Sequence, residues 1–229
     1  MDKHYSRYDI DGWAGRPETI SIDRKEGDLL RRTLQDPAIK DTLEIGCALG
    51  ASSLVICEAN RGSHTIIDPY QSTDWRNEGV KRLEESGAKF EMIEELSEIA
   101  MPELLKQGKK FDFVFIDGWH TFDQTFVDCY YANRLLRVGG YLAVDDMTMM
   151  GVRAAVDFFR AYDCYEFHDA VGMELTKSLK RRILRGIPKN WLAPALRYRI
   201  FTDFEARMVV LKKTAEDDRP GDWYKEYLS

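Results

Sequence analysis

A short apolar run followed by a glycine-containing turn is the first stretch of the sequence that can bind a ligand. Residues 43–53 read Leu-Glu-Ile-Gly-Cys-Ala-Leu-Gly-Ala-Ser-Ser, which predicts a buried strand, a tight turn and the start of a helix. Gly46 and Gly50 have no Cβ, so the backbone there can approach a ligand closely. The hydroxyls of Ser52 and Ser53, with the unpaired N–H groups of the first helical turn, suit a carboxylate. The spacing is not the Gly-x-Gly-x-x-Gly of dinucleotide-binding turns, and a lone glycine turn is also an ordinary strand–helix connection.

Asp68 ends the next apolar run, 22 residues after Gly46, in the sequence Ile-Ile-Asp-Pro. An acid at this place can accept hydrogen bonds from both hydroxyls of a ribose, as in nucleotide-binding strand–helix–strand units. Asp followed by Pro is also a common turn former. Both interpretations of Asp68 stay open at this point.

Two further apolar runs end in acidic residues. Residues 111–120 read Phe-Asp-Phe-Val-Phe-Ile-Asp-Gly-Trp-His, and residues 135–146 read Leu-Leu-Arg-Val-Gly-Gly-Tyr-Leu-Ala-Val-Asp-Asp. Their side chains that can transfer a proton or hold a cation are Asp117, His120, Asp145 and Asp146. A second interpretation of the acid pair is that it caps the helix predicted near Val152.

These four stretches resemble the motifs of class I S-adenosylmethionine-dependent methyltransferases. Their order, spacing and sequence agree over roughly residues 40–170 and the final strand. The resemblance implies an α/β fold with a doubly wound, mostly parallel seven-stranded sheet whose last strand is antiparallel, and S-adenosylmethionine as the cofactor. Within the class, the sequence is similar to the small-molecule O-methyltransferases of the catechol and macrolide-sugar type.

The resemblance also implies roles for particular residues. In these families the base follows the first metal-binding Asp by three positions, which makes His120 the catalytic base. The implied ligands of a divalent cation are Asp117, Asp145 and Asp146, and ligation by oxygen alone favours Mg²⁺. The implied cofactor-binding residues are Glu44, Gly46, Ala48, Gly50, Ser52, Asp68, Ser97, Asp117 and Trp119. Catechol-type enzymes have a Lys at the base position and sugar-modifying relatives a His, so the substrate leans towards a sugar or a glycosylated metabolite.

Three positions depart from the family pattern. Ala48 replaces the middle glycine of the turn, Leu96 stands where an acid is frequent, and Trp119 lies in the Asp-Gly-x-His loop. With Leu96 in place of the acid, adenine recognition is expected to depend on backbone groups, Ser97 and Trp119.

The elements that must position these groups alternate along the chain. Strands are predicted at 42–46, 64–68, 89–93, 111–117, 141–145, 164–168 and 207–212, and helices at 52–60, 74–86, 97–107, 121–137 and 152–161. Capping boxes are predicted at Asp23 with Glu26 and at Thr121 with Gln124, and Gly139-Gly140 predicts a helix C-cap. Strand–helix alternation of this kind is typical of a parallel sheet covered on both faces by helices.

A length of 229 residues predicts a single domain. We expect an N-terminal cap or helix at 1–38, a core at 39–170, a basic helical insertion at 171–205, the last strand at 206–213 and a C-terminal tail at 214–229.

The charge distribution is uneven. The net charge of −6 argues against a nucleic-acid partner, yet residues 175–202 contain eight basic residues and no acid. This segment could be a lid over an acidic or phosphorylated substrate, the arm of a homodimer, an interfacial helix on anionic lipid, or a solvated helix docked on the acidic body. The sequence leaves these alternatives open.

No apolar run reaches the ~20 residues of a membrane-spanning helix. The start of the sequence has no signal-peptide pattern, and the four cysteines show no Cys-x-x-Cys spacing. These features predict a cytoplasmic protein with reduced thiols.

The function expected from the sequence is methyl transfer from S-adenosylmethionine to a hydroxyl of a small molecule. An NAD-dependent oxidoreductase is an alternative that the missing Gly-x-Gly-x-x-Gly disfavours. A non-catalytic S-adenosylmethionine-binding protein of carbohydrate assembly is the other alternative, against which Asp117 and His120 argue.

Overall fold

The structure is a computed structural model, and it describes residues 22–60, 62–160, 162–172 and 206–221. Within these residues the helices are α1 (Arg24–Leu34), α2 (Ala51–Ala59), α3 (Glu78–Glu85), α4 (Ser97–Lys106), α5 (Phe122–Leu135) and α6 (Met150–Phe159). The strands are β1 (Asp41–Ile45), β2 (Ser63–Ile67), β3 (Glu91–Ile93), β4 (Phe111–Ile116), β5 (Leu136–Val144), β6 (Tyr165–Val171) and β7 (Met208–Lys213).

The seven strands form one sheet in the order β3-β2-β1-β4-β5-β7-β6. The first five of these strands in chain order pair in parallel, and β7 runs antiparallel to both β5 and β6. The predicted doubly wound, mostly parallel sheet with an antiparallel last strand is therefore confirmed. The strand order reverses between β1 and β4, which is where open α/β sheets bind ligands.

Both faces of the central strands are buried, which explains why these strands are apolar throughout. Leu43 and Ile45 of β1 pack in a cluster with side chains from α4, α5 and α6. Phe113 and Phe115 of β4 pack in a second cluster with side chains from α1 and α2. The alternation of β1 and β4 side chains between the faces holds the strand ends rigidly against each other.

The two predicted capping boxes have different outcomes. The capping box of Asp23 and Glu26 is confirmed at the start of α1, but Thr121 makes no side-chain cap at the start of α5. The Gln124 amide instead donates to the hydroxyl of Ser97, 3.0 Å away. A contact with a neighbouring helix therefore replaces the predicted local cap.

The glycine pair after α5 is not a helix C-cap. The helix ends at Leu135, and β5 begins at Leu136, five residues before the predicted strand. Gly139, with φ of +91°, and Gly140 lie inside β5, where the pairing with β4 shifts register between Phe111 and Phe113. A Cβ on Gly140 would lie 2.6 Å from the carbonyl oxygen of Asp112, so the irregular pairing requires a glycine there.

Parts of the predicted domain organisation lie outside the described residues. These parts are residues 1–21 of the N-terminal cap, 173–205 of the basic segment and 222–229 of the tail. The described part of the chain has no helix that is long and apolar enough to cross a membrane. The four cysteines are all free.

A buried lysine joins the end of the sheet to the end of α5. The side chain of Lys213 is 1% exposed, and its ammonium group donates to the carbonyls of Asn133 and Leu136 at 2.9 and 3.0 Å. The carboxylate of Glu216 lies 2.7 Å from the same nitrogen. This lysine satisfies carbonyls that the helix end leaves without a donor.

We expect Lys213→Met to lower the free energy of unfolding by about 2–4 kcal/mol, because two buried carbonyls lose their donor. Urea unfolding monitored by circular dichroism measures this difference. Lys106→Met is the control, since Lys106 is exposed and pairs only with Glu103 on the same helix, and it should change stability by less than about 0.5 kcal/mol. Equal midpoints for the two variants would contradict this role of Lys213.

Candidate active site

The turn after β1 packs against the end of β4. Gly46 has a φ of +90°, and a Cβ at this position would lie 2.0 Å from the carbonyl oxygen of Asp117. Gly50, the N-cap of α2, is also left-handed, and a Cβ there would lie 3.0 Å from the carbonyl oxygen of Gly79. Close contacts within the chain itself therefore require both glycines, and their contact with the cofactor stays a prediction.

Asp68 holds the same turn from the end of β2. One carboxylate oxygen accepts from the backbone N–H groups of Cys47 and Ala48 at 3.0 and 2.9 Å and from the Gln71 amide at 3.0 Å. The other oxygen accepts from the N–H of Tyr70 at 2.9 Å. Asp68 is only 3% exposed. The carboxylate lies at the strand end where a ribose was predicted, and it also fixes the position of the glycine turn.

Glu44 supports the start of α2 from inside the sheet. Its carboxylate is fully buried and accepts hydrogen bonds from the hydroxyls of Ser52 and Ser53, the latter at 2.6 Å. His64 Nε2 lies 2.9 Å from the same carboxylate, and His64 Nδ1 lies 2.9 Å from the hydroxyl of Thr42. In this structure the carboxylate that accepts from both serine hydroxyls belongs to the chain itself, and the contact of Ser52 with the cofactor stays a prediction.

Three groups that can hold a cation meet at the ends of β4 and β5. His120 Nε2 lies 2.8 Å from a carboxylate oxygen of Asp146 and 3.8 Å from one of Asp117. Ligand atoms of all three residues lie within 4.8 Å of one another. Asp146 has a left-handed backbone with φ of +55°, an uncommon conformation for a residue with a side chain. This geometry brings together Asp117, His120 and Asp146.

Asp145 is not part of this cluster. It is buried, and one of its oxygens accepts from the N–H of Asp146 at 2.8 Å. The predicted ligand set included Asp145, whereas the structure has His120 as the third group.

The charges of the cluster depend on one another. Burial raises the pKa of Asp117 to about 6, and the nearby carboxylate of Asp146 acts in the same direction. Interactions with Asp117 and Asp146 raise the pKa of His120 to about 10. Burial and the charge of Asp117 also raise the pKa of Asp145. Without another cation, the imidazolium of His120 is therefore the counter-charge of the acid pair, and the carboxylates of Asp117 and Asp146 are oxygen donors that fit a divalent ion.

Sequence reasoning missed one polar residue beside the predicted adenine contacts. The hydroxyl of Ser97, at the start of α4, donates to a carboxylate oxygen of Asp128 in α5 at 2.6 Å. Asp128 is fully buried. The signal was its place in α5, because Asp128 stands among the positions that face the core, next to Cys129. The other predicted adenine contact, Trp119, is 61% exposed.

Comparison with known proteins adds two findings. Residues 43–147 match a family model described as a methyltransferase domain. The chain has no significant match among the curated proteins.

Several solved structures share the fold. An O-methyltransferase from Bacillus cereus in complex with SAH has a TM-score of 0.64 at 13% identity, covering 93% of this chain and 92% of its own. The O-methyltransferase TomG from Streptomyces achromogenes, involved in tomaymycin synthesis and in complex with SAM, has a TM-score of 0.63 at 19% identity, covering 94% and 91%. An rRNA methylase from Streptococcus thermophilus has a TM-score of 0.55 at 14% identity, covering 85% and 99%. At these identities the similarity shows the fold and does not select a substrate.

We expect Gly46→Ala to lower the free energy of unfolding by roughly 3 kcal/mol or more, because its Cβ meets a backbone carbonyl and cannot move away. Ala48→Gly is the matched control in the same turn. Ala48 has a φ of +45°, so the glycine should relieve strain and raise the free energy of unfolding by roughly 0.5–1 kcal/mol. Thermal unfolding of both variants measures the effects, and opposite signs are expected. A Gly46→Ala variant as stable as the wild type would show that the turn does not pack on Asp117.

A further prediction concerns the protonation state of His120. In metal-free protein the imidazole should remain protonated at pH 8 and titrate well above 6.5, as its raised pKa implies. Because the pKa is raised in the folded state, the stabilisation is fully present below about pH 6.5 and is lost as the pH rises towards 10. NMR titration of the His120 ring measures this, and Asp146→Asn should lower the titration midpoint. A wild-type midpoint at or below 6.5 would contradict the described cluster.

Proposed function

We propose that this protein is a class I, S-adenosylmethionine-dependent methyltransferase that methylates a hydroxyl group of a small molecule. The match of residues 43–147 to a methyltransferase domain supports the reaction class. The observation that carries this proposal is the meeting of Asp117, His120 and Asp146 beside the glycine turn. An imidazole held between carboxylates at the ligand-binding edge of the sheet is suited to taking a proton from a hydroxyl.

The reaction requires little covalent chemistry from the protein. The sulfonium of S-adenosylmethionine already activates the methyl group, so the protein must align the hydroxyl oxygen in line with the breaking S–CH₃ bond. As the new O–CH₃ bond forms, the hydroxyl proton must leave the oxygen. His120 is the residue that we assign to receive it.

His120 can accept a proton only in its neutral form. In the described structure its interactions with Asp117 and Asp146 favour the protonated form. A divalent cation held by Asp117 and Asp146 would neutralise these carboxylates, and when bound it supplies a lower pKa for the substrate hydroxyl. With the acid pair neutralised in this way, the imidazole of His120 is free to act as the base.

The surroundings of His120 support an acceptor with an apolar part. Phe122 and Met150 are 49% and 85% exposed. The start of α6 contacts the loop that carries His120, since a Cβ on Gly151 would lie 3.2 Å from the His120 carbonyl oxygen. A glycosylated metabolite, with a sugar hydroxyl and an apolar body, suits these side chains better than a free sugar.

The two alternative functions are less well supported. An oxidoreductase would need a dinucleotide-binding turn, whose spacing the sequence lacks. A non-catalytic binding protein would have no use for a histidine 2.8 Å from a carboxylate at the ligand edge. The net charge of −6 favours a small-molecule acceptor over RNA, despite the fold shared with an rRNA methylase.

The free cysteines are the basis on which we assign a cytoplasmic location.

We expect transfer of labelled methyl groups from S-adenosylmethionine to at least one member of a panel of hydroxylated metabolites. His120→Ala should reduce kcat by about 10²–10⁴-fold with little change in cofactor affinity, because only proton removal is affected. His168→Ala is the control, since His168 is an exposed imidazole on β6, and it should retain wild-type kcat.

The cation is tested in the same assay. Asp146→Asn should abolish stimulation by Mg²⁺, whereas Asp145→Asn should have a smaller effect because Asp145 lies outside the cluster. Full activity in excess EDTA would contradict the cation, and full activity of His120→Ala would contradict the base.

A further inference from the structure

We propose that Asp128 is a positioning residue that makes the protein select the 6-amino purine of its cofactor, by fixing the hydroxyl of Ser97 as a hydrogen-bond acceptor. This proposal rests on the proposed function, since it assumes that an adenosine-containing cofactor binds at this edge. It assigns a role to a residue that the methyl-transfer mechanism does not use.

The polar cluster of Ser97, Gln124 and Asp128 lies between α4 and α5. One carboxylate oxygen of Asp128 accepts from the Ser97 hydroxyl at 2.6 Å and from the Gln124 amide at 3.4 Å. The Gln124 amide also donates to the Ser97 oxygen at 3.0 Å. The second carboxylate oxygen of Asp128 is buried and has no hydrogen-bond partner among the described residues. A buried acceptor of this kind is costly unless a donor reaches it in another state of the protein.

The unpartnered oxygen faces the loop that follows β4. A Cβ on Gly118 would lie 3.9 Å from it, and Gly118 stands between Asp117 and the exposed Trp119. Leu96 and Ile99, on either side of Ser97 in the chain, are also exposed, at 37% and 48%. Apolar side chains around a small polar group are the composition of a site for a flat heteroaromatic base.

The direction of the hydrogen bonds decides which base fits. A serine hydroxyl has one proton, and Ser97 gives it to Asp128, so the Ser97 oxygen can only accept further hydrogen bonds. The unpartnered oxygen of Asp128 is also an acceptor. Burial raises the pKa of Asp128 to about 6, so near pH 8 the group is an ionised carboxylate without a proton to donate.

The amide nitrogen of Gln124 already donates to Ser97 and to Glu98, at 3.0 and 3.1 Å. Towards a ligand the cluster therefore offers only acceptors, and it requires a ligand that offers donors. The exocyclic amino group at position 6 of adenine carries two N–H groups. A purine with an oxo group at this position would place an acceptor against acceptors. The cluster should therefore bind the amino form and reject the oxo form.

The test is calorimetric binding at pH 8 of S-adenosylhomocysteine and of its 6-oxo analogue, in which hypoxanthine replaces adenine. The wild type should bind the amino compound at least about tenfold more tightly.

Asp128→Asn keeps the size of the side chain but introduces an amide that can donate, so the ratio of the two affinities should fall towards one or invert. Ser97→Ala removes the acceptor directly and should also lower the ratio of the two affinities. This variant provides the test if Asp128→Asn does not fold. Asp123→Asn, an exposed change in the first turn of the same helix, should keep the wild-type ratio.

Three results would overturn the proposal. Equal binding of the two compounds by the wild type would show that the site does not distinguish an amino from an oxo group at position 6 of the purine. An unchanged ratio of the two affinities in Asp128→Asn, with or without a loss of affinity for both compounds, would show that Asp128 has only a structural role. A wild type that binds neither compound would contradict the proposed function itself, and the proposal with it.

Discussion

One row of backbone hydrogen bonds places the functional groups at the edge of the sheet. The first residue after each parallel strand donates its N–H to the last residue of the neighbouring strand, at distances of 2.8–3.1 Å. These pairs are Asp68 to Ile93, Gly46 to Ile67, Asp117 to Ile45 and Asp145 to Ile116. Because the register of a parallel sheet is set by its buried faces, the apolar core determines which four residues stand side by side. The chemistry depends on this row.

The acids in this row and beside it have different surroundings. Glu44 and Asp68 are almost completely buried and their oxygens are occupied by donors from the chain, so they hold the turn and the start of α2. Asp117 and Asp146 are partly exposed and have His120 beside them. Buried carboxylates with several donors stabilise structure, whereas partly exposed carboxylates beside an imidazole remain available to a cation or a proton.

The sequence predicted the sheet well, because strands buried on both faces are continuous apolar runs and the functional residues follow them directly. It predicted less where a distant contact competes with a local preference. Gln124 contacts Ser97 instead of capping its own helix, and Gly139 and Gly140 serve an irregular strand pairing. Asp145, a predicted ligand, lies outside the group formed by Asp117, His120 and Asp146. Asp128 was missed because a single acid among the core-facing positions of a helix is a weak signal, and its contact with Ser97 appears only when α4 and α5 pack together.

The proposed methyl transfer requires S-adenosylmethionine to bind at the edge formed by the ends of β1, β2 and β4. Hydrogen–deuterium exchange with and without S-adenosylmethionine tests the location directly. If S-adenosylmethionine binds at this edge, amide hydrogen exchange should be slower in peptides that cover residues 46–50, 95–99 and 117–121. A groove of about 520 Å³ between α1 and α2 is a different place for a ligand, lined by Asp28, Arg31 and Glu58 among others. Slower exchange only in peptides that cover residues 22–31, with unchanged exchange in the peptides that follow β1 and β4, would contradict binding at this edge.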